Sequence, residues 1–365
     1  MKVLLAELGG SHIEVMYTLV HILYMKGHKV FLICNESLSE FIKEKEKISG
    51  IFFLPTDIKG PAMQLQVLKK INGVIRDNQI DTLIFGTTEI KPVRNLLPFL
   101  PCINITGIIH NSSKLNNSAT FKYLYPLRIK KYIVLGDFIR EHITSLPKEK
   151  VFAYYPVYFP KATDTKVIKP AHEKWIIVPG IVKAERKDYI PLLKKLSGHG
   201  MPENIKLIFL GKFYQDEKDI EALVNDINTT NEQIIIFDNY LDYDTFHTYL
   251  AKADFILPLL KITEDLFYNN KRISGAFNLA YGYRLPLLLP ETYRKNTDMA
   301  SFSIYYKTIE ELYKIFLSVS KDNLYANSIF EAYIKTEKFN LNTMANQLIS
   351  FVQKSSKPSL LESNE

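Results

Sequence analysis

Short apolar runs alternate with longer amphipathic stretches through the first half of the chain. Residues 3–6 are all apolar, and residues 13–26 repeat apolar side chains at a spacing of three to four, which predicts a strand followed by a helix. The same reasoning predicts a helix over 64–78 and strands over 30–34, 82–86, 102–109 and 131–135. Continuous apolar strands separated by helices are typical of a parallel sheet covered on both faces.

The second half restarts the same pattern after a segment of different character. Pro156, Pro160 and Pro170 interrupt a polar stretch with little periodicity, which indicates a linker. Strands then follow over 175–180, 206–211, 233–237, 255–258 and 285–289, with helices over 189–196, 217–228, 244–252 and 275–281. The predicted domains are residues 1–155 and 175–335, joined by the linker 156–174. A helix over 336–353 packs back toward the first domain, and 354–365 form a flexible tail.

This alternation predicts an α/β protein of two Rossmann-like, doubly wound parallel-sheet domains facing a central cleft. Ligands of open α/β sheets bind beyond the carboxyl ends of the strands. The residues that carry chemistry are therefore expected in the loops that follow strands.

Composition excludes several classes of protein. The chain has 365 residues, of which 47% are hydrophobic and 23% charged, as in globular proteins. The longest apolar run, residues 96–109, contains Pro98 and Pro101 and is too short to span a membrane. The start of the chain does not resemble a signal peptide. Cys34 and Cys102 lie in apolar stretches and are predicted to be two buried free thiols, which suits a reducing cytoplasm.

The net charge of +7 suggests an anionic partner. Residues 111–136 are basic and contain no Asp or Glu. They include Lys114, Lys122, Arg128, Lys130 and Lys131, interleaved with Tyr123, Tyr125 and Tyr132. Such a surface would suit anionic lipid headgroups or a lipid-linked or phosphorylated glycan, with an ordinary basic surface as the alternative. No nucleic-acid recognition motif accompanies the charge, so nucleic acid is not expected as a partner.

Two loops of the first half are candidate sites. Gly9 and Gly10 follow the first predicted strand and would let backbone N–H groups approach an anion. The loop lacks the Gly-x-Gly-x-x-Gly pattern of dinucleotide-binding proteins. His110 follows a buried strand, and His110, His12 and Glu14 are the candidates for a catalytic base. A tight turn and a structural histidine are the alternatives.

Two loops of the second half carry candidate phosphate-binding groups. Arg186 and Lys187 lie between a strand and a helix, where two cations could neutralise a diphosphate, although a solvated charged loop is the alternative. Ser274 is a good helix N-cap. Gly275 and Ala276 leave the first turn without bulky side chains, so a phosphate could approach its free N–H groups.

Taken together, the order and spacing of these motifs resemble the GT-B glycosyltransferases, most closely their family 4-like group, over nearly the whole chain. Residues 178–189 are similar to that family's strand–Gly–loop–Arg-Lys segment, and 208–211 to its next strand, which ends in glycine. Residues 237–241 resemble its base-binding loop, 251–258 its Ala-Asp strand ending in Pro, and 280–286 its Ala-x-Gly segment. Gly9, Gly10 and His110 match its amino-terminal glycine loop and cleft histidine.

The resemblance implies transfer of a hexose-type sugar from a nucleotide diphosphate-sugar to an acceptor hydroxyl, without a metal ion or a further cofactor. Lys187 would hold the diphosphate with Arg186 beside it, and the first domain would bind the acceptor. The remaining donor-binding residues that the resemblance implies are Gly9, Gly10, Gly180, Gly211, Tyr240, Leu241, Ser274, Gly275 and Ala276, and His110 would contact the donor sugar. The expected acceptor is a cell-surface glycan or a lipid-linked saccharide, as in polysaccharide biosynthesis. The expected location is the cytoplasm, including the inner face of an anionic membrane.

One departure from the family keeps two other functions open. The family's Glu-x7-Glu pair would fall near Asn269 and Phe277, and neither residue is acidic. A nucleotide-sugar epimerase on the same fold would need additional carboxylates in the site. A catalytically inactive scaffold that binds a glycan or a nucleotide would need none.

Overall fold

The computed structural model describes residues 1–163, 166–185, 187–229, 231–261, 271–321 and 324–353. The chain divides into two compact units. The first comprises Met1–Tyr154 together with the described chain from Leu341, and the second comprises Tyr155–Asn340. Each unit has its own parallel sheet, which confirms the predicted fold class of two Rossmann-like domains.

The sheet of the first unit has seven parallel strands among the described residues. They are β1 (Lys2–Glu7), β2 (Lys29–Asn35), β3 (Gly50–Leu54), β4 (Thr82–Phe85), β5 (Asn104–Ile109), β6 (Lys131–Val134) and β7 (Val151–Ala153). Their order is β3-β2-β1-β4-β5-β6-β7, so the strand order reverses between β1 and β4. The register there pairs Val3 with Val30 on one side and with Thr82 on the other. Such a reversal opens a crevice at the carboxyl ends of the strands.

Five helices of the described chain connect these strands: α1 (Ile13–Met25), α2 (Pro61–Asp77), α3 (Lys91–Leu96), α4 (Ser113–Asn117) and α5 (Asp137–Glu141). α1 is apolar on most of its surface, and Val15, Leu19 and Ile22 are fully buried. The same holds for β1, whose Val3, Leu4 and Leu5 have no exposed surface. β1 is an inner strand of the sheet and is covered on both faces, so its carboxyl end is held rigidly.

The second unit has a six-stranded parallel sheet in the order β10-β9-β8-β11-β12-β13, counted over the described part of the chain. Its strands are β8 (Lys174–Pro179), β9 (Ile205–Lys212), β10 (Ile234–Phe237), β11 (Phe255–Ile256), β12 (Leu287–Pro290) and β13 (Ser303–Tyr306). Its helices are α6 (Tyr189–His199), α7 (Lys218–Ile227), α8 (Tyr243–Lys252), α9 (Gly275–Tyr283), α10 (Ile309–Val319) and α11 (Leu324–Lys335). Ile176, Leu207 and Phe209 are fully buried in its core.

The helix α12 (Leu341–Gln353) belongs to the first unit. The Asn104 side chain donates to the Val352 carbonyl oxygen over 2.7 Å, and the rings of Phe152 and Phe351 stack with centroids 5.4 Å apart. α12 thus covers the β5–β7 side of the first sheet.

The segment expected as a linker packs on the second unit. The Tyr243 hydroxyl donates to the Pro160 carbonyl oxygen over 2.8 Å, and Lys169 forms an ion pair with Asp254. Asp298, which is fully buried, accepts a hydrogen bond of 2.8 Å from Tyr155 and pairs with Lys338. The Asp298 carboxylate therefore binds Tyr155, at the start of this unit, and Lys338, near its end.

Local details confirm some predictions and correct others. The Asp242 side chain caps α8 by accepting from the Thr245 N–H over 2.9 Å. The helix expected over 275–281 continues two residues further, through Tyr283. Cys34 is buried as predicted, but Cys102 is exposed because it lies in the turn before β5 and not within the strand. No helix in the described part of the chain is long and apolar enough to cross a membrane.

Candidate functional site

Polar side chains gather at the carboxyl edge of the first sheet, beside the strand-order reversal. Glu7 is the last residue of β1, residues 86–89 follow β4, and His110 follows β5. Since β1, β4 and β5 are parallel neighbours, their carboxyl ends meet at one edge. The edge therefore brings together His12, Glu14 and His110 with carboxylates that were not among the predicted site residues.

The predicted base candidates His12 and His110 stack on each other. Their ring centroids lie 4.0 Å apart, with 23° between the ring planes. His12 is the N-cap of α1 and has a φ of 71°, a left-handed conformation that costs a non-glycine residue about 1 kcal/mol. Its Nδ1 lies 3.3 Å from the carboxylate of Glu14, and more than a third of the Glu14 side chain is exposed. The strained cap thus places one imidazole against another.

Glu7, whose charge acts on His12, is a fully buried carboxyl group. It accepts hydrogen bonds from the Gly9 N–H over 2.8 Å and from the Thr87 hydroxyl over 2.9 Å. Burial raises the pKa of Glu7 to about 7, against the effect of both hydrogen bonds. A Cβ on Gly86 would lie 2.4 Å from the Glu7 carboxylate and 2.0 Å from Met16. A larger residue at position 86 would therefore have to displace the Glu7 carboxylate and the end of the Met16 side chain.

Glu89 anchors the backbone that carries His110. Its Oε1 accepts from the N–H groups of His110 and Asn111 over 2.6 and 2.7 Å. Its Oε2 is buried and has no hydrogen-bond partner among the described residues. Burial raises the pKa of Glu89. Glu89 thus places one carboxylate oxygen out of contact with water, close to the backbone of His110.

The hydrogen bond made by His110 determines which tautomer its neutral ring adopts. Its Nε2 lies 2.8 Å from the Gly86 carbonyl oxygen, which can only accept, so Nε2 carries a proton. Nδ1 is then the basic nitrogen of the neutral ring. Burial alone would lower the pKa of His12, but Glu14 and two further carboxylates outweigh it and raise that pKa. The cluster can take up and release protons near neutral pH.

The Gly9–Gly10 loop lies beside this cluster. The N–H of Gly9 donates to Glu7, and a Cβ at Gly9 would lie 2.9 Å from that carboxylate. A Cβ at Gly10 would lie 3.3 Å from the Ser37 hydroxyl oxygen. Gly9 therefore fixes the buried carboxylate in this structure, and its predicted contact with a donor phosphate stays a prediction.

In the second unit, Lys187 lies in the loop that follows β8. Its ammonium group donates to the Pro179 carbonyl oxygen over 2.6 Å, and its backbone forms an antiparallel bridge with Leu260, after β11. Burial lowers the pKa of Lys187 to about 7. Gly180 opens the loop with a φ of 95°. Arg186 lies outside the described residues.

Gly211 lets two loops of this edge approach closely. A Cβ there would lie 2.4 Å from the Gly180 carbonyl oxygen, and the Gly180 N–H donates to Leu210 over 2.9 Å. The end of β9 therefore lies against the loop that carries Lys187. Any larger residue at position 211 would displace the backbone of that loop at Gly180.

The amino end of α9 lies at the same edge of the second sheet, because α9 connects the parallel strands β11 and β12. Ser274 is its N-cap, as predicted, but the Ser274 side chain makes no capping hydrogen bond. Nothing lies within 4 Å of a Cβ built on Gly275, whereas Ala276 is buried. Phe277 is fully buried where the resembled family has its second Glu, and Asn269 lies outside the described residues.

Two tyrosines and two lysines form a partly exposed group at this edge. The Tyr214 and Tyr240 hydroxyl oxygens are 3.0 Å apart, and Tyr240 is 65% exposed. The Lys212 ammonium lies 5.3 Å from the Tyr214 ring centroid and 5.5 Å from that of Tyr240, and Lys183 lies 4.8 Å from Tyr214. Leu241 is partly buried beside them. The group offers flat aromatic faces and positive charge to a ligand.

The basic segment 111–136 differs from its expectation. Tyr125 and Tyr132 are buried in the first unit, and only Tyr123 of the three tyrosines is exposed. Arg128 and Lys131 donate to backbone carbonyl oxygens, so part of the charge holds the fold together. The buried tyrosines follow from the pattern of the segment, because each lies on the inner face of its turn or strand.

Some site residues were not predicted from the sequence. Glu7, Thr87 and Glu89 each end or closely follow an apolar strand, and that position was the available signal. Tyr214 and Lys212 follow β9 in the same way. Among the described residues, no three His, Cys, Asp or Glu side chains are arranged to hold a metal ion.

No protein-family model matches the sequence, and no curated protein matches it. Solved structures match over almost its whole length. A glycosyltransferase from Rickettsia africae is 15% identical, with 97% of this chain and 99% of that chain covered and a TM-score of 0.64. Anabaena HepE, crystallised with UDP and glucose, is 14% identical, with 96% and 98% covered and a TM-score of 0.63.

A third match is the UDP-GlcNAc 2-epimerase from Neisseria meningitidis, bound to UDP-GlcNAc. It is 12% identical, with 96% of this chain and 99% of that chain covered and a TM-score of 0.56. Identities this low establish the fold alone, and membership of the family 4-like group stays a prediction. The chain has the GT-B fold of two Rossmann-like domains, which its structural neighbours among glycosyltransferases and nucleotide-sugar epimerases share.

Proposed function

We propose that this protein is a glycosyltransferase that moves a sugar from a nucleotide diphosphate-sugar to an acceptor hydroxyl. The fold supports this class, because one structural neighbour is a glycosyltransferase and another was crystallised with UDP and glucose. The observation that carries the proposal is the fixed tautomer of His110 at the carboxyl edge of the first sheet, since it leaves a basic nitrogen at a ligand-binding position.

In the proposed reaction, the acceptor oxygen forms a bond to the anomeric carbon of the sugar. The bond between that carbon and the diphosphate oxygen breaks, and the diphosphate leaves with the electron pair. His110 accepts the proton of the acceptor hydroxyl, and the stacked His12 and the nearby carboxylates stabilise the protonated ring. Glu14 is the further candidate for the proton acceptor.

The second unit holds the nucleotide in this proposal. Lys187 and the first N–H groups of α9, at Gly275 and Ala276, stabilise the negative charge of the diphosphate. The base stacks against Tyr240 beside Leu241. Charge stabilisation by these groups serves in place of a metal ion, as the resemblance implies.

The finer proposals concern the acceptor and the place of action. The basic segment of the first unit supports an acceptor on a cell-surface glycan or a lipid-linked saccharide, with a hexose as the transferred sugar. Such a reaction belongs to polysaccharide biosynthesis in the cytoplasm, at the inner face of the membrane.

Turnover with defined donors tests this proposal. The protein is incubated with UDP-, GDP-, CMP- and dTDP-sugars, with and without a lipid-linked saccharide acceptor, and the released nucleotide is measured together with the mass of the acceptor. We expect one donor to be consumed and the acceptor to gain the mass of one sugar. Binding of a nucleotide without any turnover would instead support the inactive scaffold.

A nucleotide-sugar epimerase is the second candidate, and one observation favours it. The sequence offered few carboxylates for such an enzyme, but Glu7 is buried near the histidines, and so is one carboxylate oxygen of Glu89. Protonated carboxyl groups with raised pKa values can act as general acids. NMR spectra of the sugar recovered from the same incubations distinguish the two, because an epimerase inverts one sugar carbon without modifying an acceptor.

A further inference from the structure

The first unit contains a long stretch of chain without acidic residues. No Asp or Glu occurs between Glu89 and Asp137, although this stretch includes seven basic residues. They are Lys91, Arg94, Lys114, Lys122, Arg128, Lys130 and Lys131. The stretch contributes as much positive charge as the whole chain carries in excess.

Three large apolar side chains of this stretch are unusually exposed. Phe99, Tyr123 and Leu127 are 66%, 66% and 68% exposed, respectively. Large apolar side chains this exposed are rarely clustered on a protein that stays in water, and a cluster of them marks an interaction site. All three side chains belong to the stretch of the chain that has basic but no acidic residues.

Local packing explains why Tyr123 and Leu127 point outward. Phe121 and Tyr125 are buried and stack with their ring centroids 4.2 Å apart. Tyr123 lies between them in the chain, and Leu127 follows one helical turn later. Phe121 and Tyr125 pack this turn against the core of the unit. Tyr123 and Leu127 therefore face the surface.

Arg128 joins this turn to the loop that carries Phe99. Its guanidinium donates to the Pro98 carbonyl oxygen over 3.4 Å and also to that of Pro101. Asn72 of α2 supports the same loop by donating to the Phe99 carbonyl oxygen over 3.4 Å. Phe99 and Leu127 therefore lie on neighbouring segments, and they form one surface and not two.

Cations surround these apolar side chains. Lys122 and Lys130 are exposed, and the Lys122 ammonium lies 5.2 Å from the Tyr123 ring centroid. We call Phe99, Tyr123 and Leu127 with Lys122, Arg128 and Lys130 the basic apolar surface. A soluble polyanion would be held by the cations alone, whereas a bilayer also accepts aromatic and aliphatic side chains at its headgroup level.

We propose that the basic apolar surface docks the first unit on a membrane that contains anionic lipids. The three apolar side chains enter the headgroup region, and the cations lie against the lipid phosphates. This inference deepens the proposed function, on whose membrane location it rests, by naming the surface that binds the lipids, and its test requires neither a nucleotide sugar nor turnover. Its location on the first unit agrees with a lipid-linked acceptor, but binding to lipid is measured without one.

Co-sedimentation with vesicles tests the proposal on the full chain. The probes are vesicles of phosphatidylcholine alone and vesicles with phosphatidylglycerol, at low and high salt. We expect binding to the anionic vesicles that weakens with salt. The variant Y123S/L127S should lose most of it, and K122E/K130E should weaken it by roughly fivefold for each charge removed.

Matched variants of the second unit serve as controls. Ile168→Ser removes an apolar side chain that is 82% exposed, and K194E/K321E makes the same charge change on exposed lysines. Both should bind vesicles as the parent does, and thermal unfolding shows whether each variant is folded. The proposal is overturned if the parent prefers neither vesicle, or if folded Y123S/L127S binds like the parent. Binding to heparin that equals vesicle binding and survives Y123S/L127S would indicate a polyanion partner instead.

Discussion

The imidazole rings of His12 and His110 stack at 4.0 Å, although one residue precedes α1 and the other follows β5. Two protonated rings at this distance would repel each other, so the pair favours carrying one proton at a time. The carboxylates of Glu14, Glu7 and Glu89 favour a positive charge on His12. A pair of this kind can accept a proton from a substrate at neutral pH.

The first prediction concerns the catalytic base. His110→Ala should lower the turnover number for sugar transfer by about 10²- to 10⁴-fold, because general base catalysis contributes on that scale. The Michaelis constant for the donor should change little, since the proposed nucleotide contacts lie in the second unit. Initial rates over a range of donor concentrations measure both constants.

His172→Ala is the matched control for that measurement, because His172 is an exposed histidine of the second unit. Its kinetic constants should equal those of the parent. Parent-like turnover by folded His110→Ala would remove His110 from the mechanism.

The second prediction concerns the amine of Lys187, whose pKa burial lowers to about 7. A bound diphosphate favours the charged amine, so binding above pH 7 must take up a proton, whereas below pH 7 the proton is already present. The affinity for a nucleotide diphosphate should therefore fall by about tenfold per pH unit above 7. Calorimetry in buffers of different ionisation enthalpy measures the proton uptake.

Lys187→Ala should weaken this binding at pH 7 by roughly 1.5–3 kcal/mol, the scale of a lost charge-assisted hydrogen bond, and should abolish the proton uptake. Lys194→Ala, at an exposed position of α6, should change neither quantity. An unchanged dissociation constant in folded Lys187→Ala would show that Lys187 does not bind the diphosphate.

The third prediction separates two glycines of the second unit. Gly211→Ala should lower the free energy of unfolding by about 1–3 kcal/mol, because its Cβ would overlap the Gly180 carbonyl oxygen. Gly275→Ala should leave stability unchanged or slightly higher, since nothing lies near its Cβ. If phosphates bind the first N–H groups of α9, the same methyl group should weaken nucleotide binding several-fold. Chemical denaturation and calorimetry report the two effects, and parent-like nucleotide binding by Gly275→Ala would count against a site at α9.

The fourth prediction concerns the stability of the first unit against pH. Burial raises the pKa of Glu7 from an ordinary value of 4.5 to about 7, so between these values the folded state binds more protons than the unfolded state. The free energy of unfolding should thus fall as pH rises through this window, by up to about 3 kcal/mol from this group.

Glu7→Gln removes that contribution while keeping the shape of the side chain. The stability of this variant relative to the parent should therefore improve between pH 4.5 and 7.5, as measured by denaturation at each pH. Glu40→Gln, at an exposed carboxylate of the same unit, should show no such trend. A constant difference between Glu7→Gln and the parent across this range would mean that Glu7 is ionised in the folded protein.

The sequence predicted the interior of both sheets but not all of their edges. The three strands without a prediction, β3, β7 and β13, are all edge strands. β3 contains the continuous apolar run Ile51–Leu54, so its signal was present in the sequence although no strand was predicted from it. β7 has only three residues, which is too short to give a periodic signal.

The candidate site was predicted in part for a related reason. His110 was identified because it follows a buried strand, and Lys187 because it lies beside Arg186 in a loop between a strand and a helix. The roles of Glu7 and Glu89 depend on partners far along the chain, such as Thr87 and the Asn111 N–H. Burial of a carboxylate is a property of the assembled fold, so local composition could not reveal it.

Calorimetric titration with UDP, GDP, CDP and dTDP tests the central claim most directly, because every role assigned to the second unit requires a nucleotide diphosphate. The account predicts saturable binding of at least one of them to the parent protein, in a ratio of one to one, and clearly weaker binding to Lys187→Ala. The absence of binding for all four nucleotides to the folded parent would contradict it.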